Sequence, residues 1–219
     1  MGYGNGLMPH PSFLQFLRDQ CDQYDIVLIF DEVKTGFRVA KGGARELFGV
    51  TPDLSTYAKA LGNGYPVAAI GGGKEIMSHF APSKVFQGGT YTGNVVSAAA
   101  ADATLEFMQT HDVFGHLDNI GTKLMVGMSD ILTRHGLPHI INGVPAMFGV
   151  CLTGQQPKDW RDLRQMGDWE TLEKIHTQMV EQGVYPETDG VEPYFLCDAH
   201  DEEDVAKTLQ AFEDGVRQL

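Results

Sequence analysis

The sequence is short of cysteine, of positive charge and of long apolar runs, and each shortage removes a class of protein. Its three cysteines, Cys21, Cys151 and Cys197, are odd in number and far apart, with no C-x-x-C. That argues against a disulfide framework or a structural zinc site and for reduced thiols. Lys and Arg total 16 against 29 Asp and Glu, a net charge of −13. Such a chain has no broad field to attract phosphate, so neither nucleic acid nor an anionic membrane is an expected partner. No apolar run approaches the roughly 18 residues of a membrane-spanning helix. The opening MGYGNGLMPHPSFL has no basic or apolar signal region, and Gly6 stands where myristoylation wants Ser or Thr. A cytoplasmic protein is the expectation. Hydrophobic residues at 42% and charged residues at 21% are ordinary for a globular chain.

Two characters follow one another along the chain. Up to about residue 110, strands feed helices. A helix is expected over 12–24, where Ser12 and Gln15 fit a capping box and Phe13, Leu14, Leu17, Cys21 and Tyr24 share a face. IVLIF at 26–30 suits a parallel strand buried on both faces. Further strands are expected at 54–58 and 67–70, short helices near 45–48 and 74–80, and an Ala-rich helix over 94–110. From 111 onward, amphipathic helices are expected over 111–135, 169–182 and 201–218, with strands at 146–152 and 194–197. This reads as an α/β domain over 1–110 and a smaller α+β domain over 111–219.

Three features could carry chemistry. Asp31-Glu32 closes the IVLIF strand, and ligands of open α/β sheets meet the carboxyl ends of strands. A magnesium-dependent ATPase would also need G-x-x-x-x-G-K-[ST]; the nearest stretch has Ala68 and, after Lys74, Glu75. Lys59 follows an apolar stretch and precedes Gly62-Asn63-Gly64. A lysine in a partly dry pocket is a nucleophile toward carbonyls. Gly88-Gly89-Thr90-Tyr91-Thr92-Gly93-Asn94 runs into a helix and suits either an anion or a plain helix cap. The histidines have no metal-ligand spacing. No G-x-S-x-G occurs.

Taken together, LIFDEVKTGFRVAKGGARELFGVTPDLSTYAKALGNGYPVAAIGG followed by VFQGGTYTGN resembles the class III (subgroup II) aminotransferases of fold type I, nearest to their glutamate-1-semialdehyde 2,1-aminomutase branch. These enzymes use pyridoxal 5′-phosphate. The resemblance implies the C-terminal part of the large α/β domain plus the small α+β domain, about half of a family member. It implies that Lys59 forms the Schiff base with the cofactor aldehyde and that Asp31 faces the pyridine nitrogen. Val33 would pack on the ring, Thr90 would bind phosphate, here a partner subunit's, and Glu192 matches an acid near substrate. A homodimer acting on a small amino donor and acceptor is implied, with transamination ahead of aminomutation. A non-catalytic remnant or dimerisation module is the other reading. Three positions depart from the family: Lys34, Val95, and the lack of any Arg in 184–200 to clamp a substrate carboxylate.

Overall fold

In the computed structural model, which describes residues 2–80, 84–187 and 189–219, the apolar run at 26–30 yields a strand only at its end, β1 (Ile29–Asp31). The chain divides into two compact units, Pro11–Asp112 and Val113–Leu219, the latter joined by the opening segment up to His10.

In the first unit, β1 pairs in parallel with β2 (Leu54–Tyr57), and β2 pairs antiparallel with β3 (Ala69–Gly72). The order is β1-β2-β3. Helix α1 (Phe13–Gln23) lays Leu14, Leu17 and Cys21 against Leu28, Phe30 and Val50, and this is the core of one sheet face. The other face is open: Ile29 is 53% and Ile70 47% exposed. The expectation of burial on both faces therefore fails, because the residues of β1 alternate sides and the chain covers only one. Helix α1 likewise exposes Phe13 and Tyr24 at its ends. Ser12 makes no side-chain cap bond and Gln15 donates to Asp19 instead (2.7 Å), so the capping box does not form. Helices α2 (Gly43–Phe48), α3 (Lys74–Met77) and α4 (Val95–Thr110) complete the unit.

Asp53, in the Thr-Pro-Asp-Leu motif, ties α1 to the strands. Its Oδ2 accepts the backbone N–H of Leu28 (2.7 Å) and Nη1 of Arg18 (2.9 Å). The Leu28 N–H first, and Arg18 second, hold the carboxyl below its ordinary range. Asp53→Ala strands the N–H of Leu28, the buried residue just before β1, and should destabilise this unit by about 1–3 kcal/mol. Urea unfolding checks this, with Asp53→Asn, which still accepts from Leu28, losing less.

In the second unit, α5 (Val113–Arg134) is one continuous helix that buries Leu117, Ile120, Met128 and Leu132. Its sheet has the order β4 (Ile140–Val144), β5 (Met147–Cys151), β6 (Tyr194–Phe195), all antiparallel. Gly121 is required where α5 crosses the β4–β5 turn, since a Cβ there would strike the Pro145 carbonyl. Helices α6 (Trp160–Met166), α7 (Trp169–Glu181) and α8 (Glu202–Arg217) follow, and α8 carries a capping box between Asp201 and Asp204. The opening segment is anchored by Asn5, whose Nδ2 donates to the carbonyls of Val150 (2.9 Å) and Gly190 (2.7 Å).

His176 on α7 is 2% exposed, with Nδ1 2.8 Å from the Glu187 carbonyl and Nε2 2.6 Å from the Tyr194 hydroxyl. Burial pushes its pKa down from 6.5 to about 4. The folded unit thus keeps His176 neutral while the unfolded chain protonates it. Its contribution is complete above the unfolded value of 6.5 and is lost as pH falls toward about 4. The full effect is on the order of 3 kcal/mol. Urea midpoints should drop between about pH 7 and about pH 4.5, and His176→Gln should flatten that part of the slope.

Candidate active site

The parallel pairing of β1 and β2 brings the carboxyl ends of both strands to one edge. Asp31 closes β1 directly opposite Thr56, and Lys59 begins a short 3₁₀ turn (Lys59–Leu61) two residues beyond Tyr57, the end of β2. The acid and the amine therefore belong to neighbouring strand ends. Asp31 is held in place through Oδ1, which accepts the Val33 N–H (3.0 Å) and the Thr56 hydroxyl (3.2 Å). Lys59 sits at φ +44°, a left-handed conformation that costs a side-chain-bearing residue about 1–3 kcal/mol. Both side chains are exposed. With Lys59 exposed, the expected partly dry pocket around it is not found among the described residues.

Glu32 has a role that the motif did not reveal. Successive strand residues face opposite ways, so Asp31 points out and Glu32 points in, 1% exposed. Its carboxylate accepts the Thr35 hydroxyl (2.7 Å) and the N–H groups of Ala44 (2.7 Å) and Arg45 (3.1 Å). Its own N–H donates to the Thr56 carbonyl (2.9 Å), and its carbonyl accepts the Gly36 N–H (2.8 Å). The loop from Val33 to α2 is thus wrapped around one buried carboxylate. Gly43, at φ +66°, is needed there, since any Cβ would land on the Glu32 carboxylate. The only available signal was the adjacency of two acids after a strand.

Thr90 lies exposed in a turn closed by Thr92 N–H to the Gly89 carbonyl (3.0 Å). The helix cap is Asn94, whose Oδ1 accepts from Val96 (3.1 Å) and Ser97 (3.0 Å). The capped helix, α4, packs on the 3₁₀ turn that starts at Lys59. Val33 is half-buried beside Asp31. Lys59, Asp31, Val33 and Thr90 all belong to the Pro11–Asp112 unit, whereas Glu192 belongs to the C-terminal unit. There it is half-buried, its N–H donating to Asp189 (3.3 Å). Among the described residues no three His, Cys, Asp or Glu side chains cluster as a metal site. No helix among the described residues is long and apolar enough to cross a membrane.

The fold is that of the fold type I pyridoxal-phosphate transferases, and solved transaminases share it. The ω-transaminase of Sphaerobacter thermophilus matches with a TM-score of 0.85 at 30% identity, over 97% of this chain and 49% of that one. The FumI protein of a Sphingopyxis species, solved as its PLP internal aldimine form, matches at 0.81 and 26%, over 95% and 47%. The chain belongs to the aminotransferase class-III family, whose profile matches residues 2–214. A curated relative, glutamate-1-semialdehyde 2,1-aminomutase of Methanopyrus kandleri, is 37% identical over 220 residues, covering 100% of this chain and 51% of its own. The chain thus spans about half the length of the curated relative it matches.

Proposed function

We propose that this chain supplies the amine and the acid of a pyridoxal 5′-phosphate site for amino-group transfer, and that turnover needs the half of the family's length that the chain does not span. The observation that carries this reading is Lys59, held in a strained left-handed backbone two residues past β2 and beside the strand that Asp31 closes. Strain of that kind at a lysine persists where the position of the amine matters.

The donor set fits the cofactor by its chemistry. An aldehyde calls for a primary amine, a ring N–H for a carboxylate, and a phosphate for hydroxyl and N–H donors. Lys59, Asp31 and Thr90 offer these on exposed side chains of one unit. When bound, the cofactor supplies an aldehyde carbon for attachment and a ring that accepts electrons. Lys59 Nζ would hold that carbon and would carry a proton from and back to the substrate. Asp31 would keep the ring nitrogen protonated, its carboxylate oriented by Val33 N–H and the Thr56 hydroxyl. Val33 would pack on the ring. Thr90 takes a phosphate oxygen, of a partner subunit's cofactor in a homodimer.

The test is to incubate the chain with pyridoxal 5′-phosphate, reduce with borohydride and map the label by digestion. Label on Lys59 supports the reading. A folded chain with no label at saturating cofactor overturns it and favours an interaction module. The identity to an aminomutase favours a second reading, re-amination of the same molecule at its neighbouring carbon. Steady-state release of a keto product by the reconstituted enzyme selects transamination over it.

A further inference from the structure

The chain holds five asparagines, and three of them, Asn5, Asn63 and Asn142, precede a glycine. An asparagine in that position can be attacked from within. The backbone nitrogen of the next residue reaches the side-chain amide carbon and closes a cyclic imide, a reaction favoured by the proximity of the two groups. Glycine allows it because no side chain crowds the nitrogen and its backbone turns freely. Asn94 and Asn119 precede Val95 and Ile120, whose branched side chains crowd the attack from within helices α4 and α5.

The fold makes the three Asn-Gly pairs unequal. Asn5 is buried, its Nδ2 donating to the carbonyls of Val150 and Gly190, and a Cβ at Gly6 would lie 2.7 Å from the Asn142 carbonyl. Asn142 is buried in β4 opposite Gly149, its Oδ1 accepts Nε2 of Gln156 (3.2 Å), and a Cβ at Gly143 would strike the Met147 carbonyl. In both, ring closure would tear the side chain from its partners and turn a peptide in packed space. Asn63 is the opposite case. It is exposed, in the turn between Lys59–Leu61 and β3, at φ +45°. Among the described residues its side chain has no hydrogen-bond partner, and the Gly64 N–H donates to none. Nothing lies within 4 Å of where a Gly64 Cβ would stand. The Asn63 N–H donates to the Lys59 carbonyl (3.1 Å), so the reacting pair extends from an anchored turn into solvent.

We propose that Asn63-Gly64 is a self-modifying site, which loses ammonia through a cyclic imide and reopens as aspartate or isoaspartate. The Gly64 nitrogen attacks Cγ of Asn63, and a new C–N bond forms. The Cγ–Nδ2 bond breaks, and the Gly64 proton leaves with Nδ2 as ammonia. Water then adds to either ring carbonyl. One opening gives aspartate; the other routes the main chain through the Asn63 side chain as isoaspartate. Nothing is oxidised or reduced. Isoaspartate lengthens the main chain by a methylene between the Gly62 carbonyl and the Tyr65 N–H, which are hydrogen-bonded across this turn (3.0 Å). Both products put a carboxylate where the turn beginning at Lys59 had a neutral amide.

The full chain is aged at neutral pH in water labelled with heavy oxygen, once folded and once in urea. Trypsin then places the three Asn-Gly pairs in three different peptides, and mass mapping follows label in each. In the folded chain Asn63 should convert to both isoaspartate and aspartate. Asn5 and Asn142 should lag it by at least about tenfold, because each must first open locally against its hydrogen bonds. In urea the three should convert at comparable rates, since only the shared Asn-Gly chemistry remains. The readout needs neither cofactor nor turnover, so it stands apart from the role proposed for Lys59. A smaller lag in the folded chain, a lag that persists in urea, an intact Asn63 in a folded chain whose unfolded form converts, or aspartate without isoaspartate overturns the proposal.

Discussion

Lys59→Arg is expected to abolish borohydride-trapped pyridoxyl label while leaving the fold in place. The substitution keeps the positive charge and the length of the side chain, so a loss of label isolates the chemistry of the amine. Attachment to an aldehyde needs a neutral nitrogen with a free lone pair. A guanidinium stays protonated near pH 7, and its lone pairs are delocalised. The side chain is exposed, and the φ of +44° is borne by the backbone of either residue, so urea midpoints should agree within about 0.5 kcal/mol. Amino-group transfer by the reconstituted enzyme should fall to background in the same variant. Label that persists on another lysine at parent level would remove Lys59 from the site.

Glu32→Ala is expected to give the largest loss of stability in the first unit. It deletes a carboxylate that is 1% exposed and that serves the Thr35 hydroxyl and the N–H groups of Ala44 and Arg45. Those donors cannot all reach water without opening the loop. Hydrogen bonds to a charged acceptor contribute about 1.5–3 kcal/mol each, and they do not add, so a total of about 3–5 kcal/mol is expected. Urea unfolding measures the total. Amide exchange locates it: Ala44 and Arg45 should lose protection in Glu32→Ala, while β5 of the other unit keeps its own. Glu32→Gln retains acceptors and should cost less. A loss confined to about 1 kcal/mol would mean that the loop is held by something other than this carboxylate. Because Val33 N–H is one of the two donors to Asp31, the same variant should weaken trapping at Lys59 even where the chain stays folded.

The sequence by itself determined the order of the longer helices and which residues follow the first two strands. Periodicity and composition suffice for α4, α5, α7 and α8, because each is long and buries one face or is rich in alanine. They do not suffice for β4, whose Asn-Gly interior reads as a turn, or for α6, seven mostly polar residues started by an Asp159 cap. Lys59 and Asp31 were legible because they stand in a motif of fixed spacing. Only the tertiary structure decided that their strands run parallel and end at one edge, since pairing direction is set by contacts distant in sequence. It also separated two adjacent acids that a string of letters presents as equals: alternation at the end of β1 sends Asp31 outward, to Thr56, and Glu32, the next residue, inward, to the N–H groups of α2. The exposed face of β1, likewise, follows from which helix the chain lays on the sheet, a fact of packing that no local pattern records.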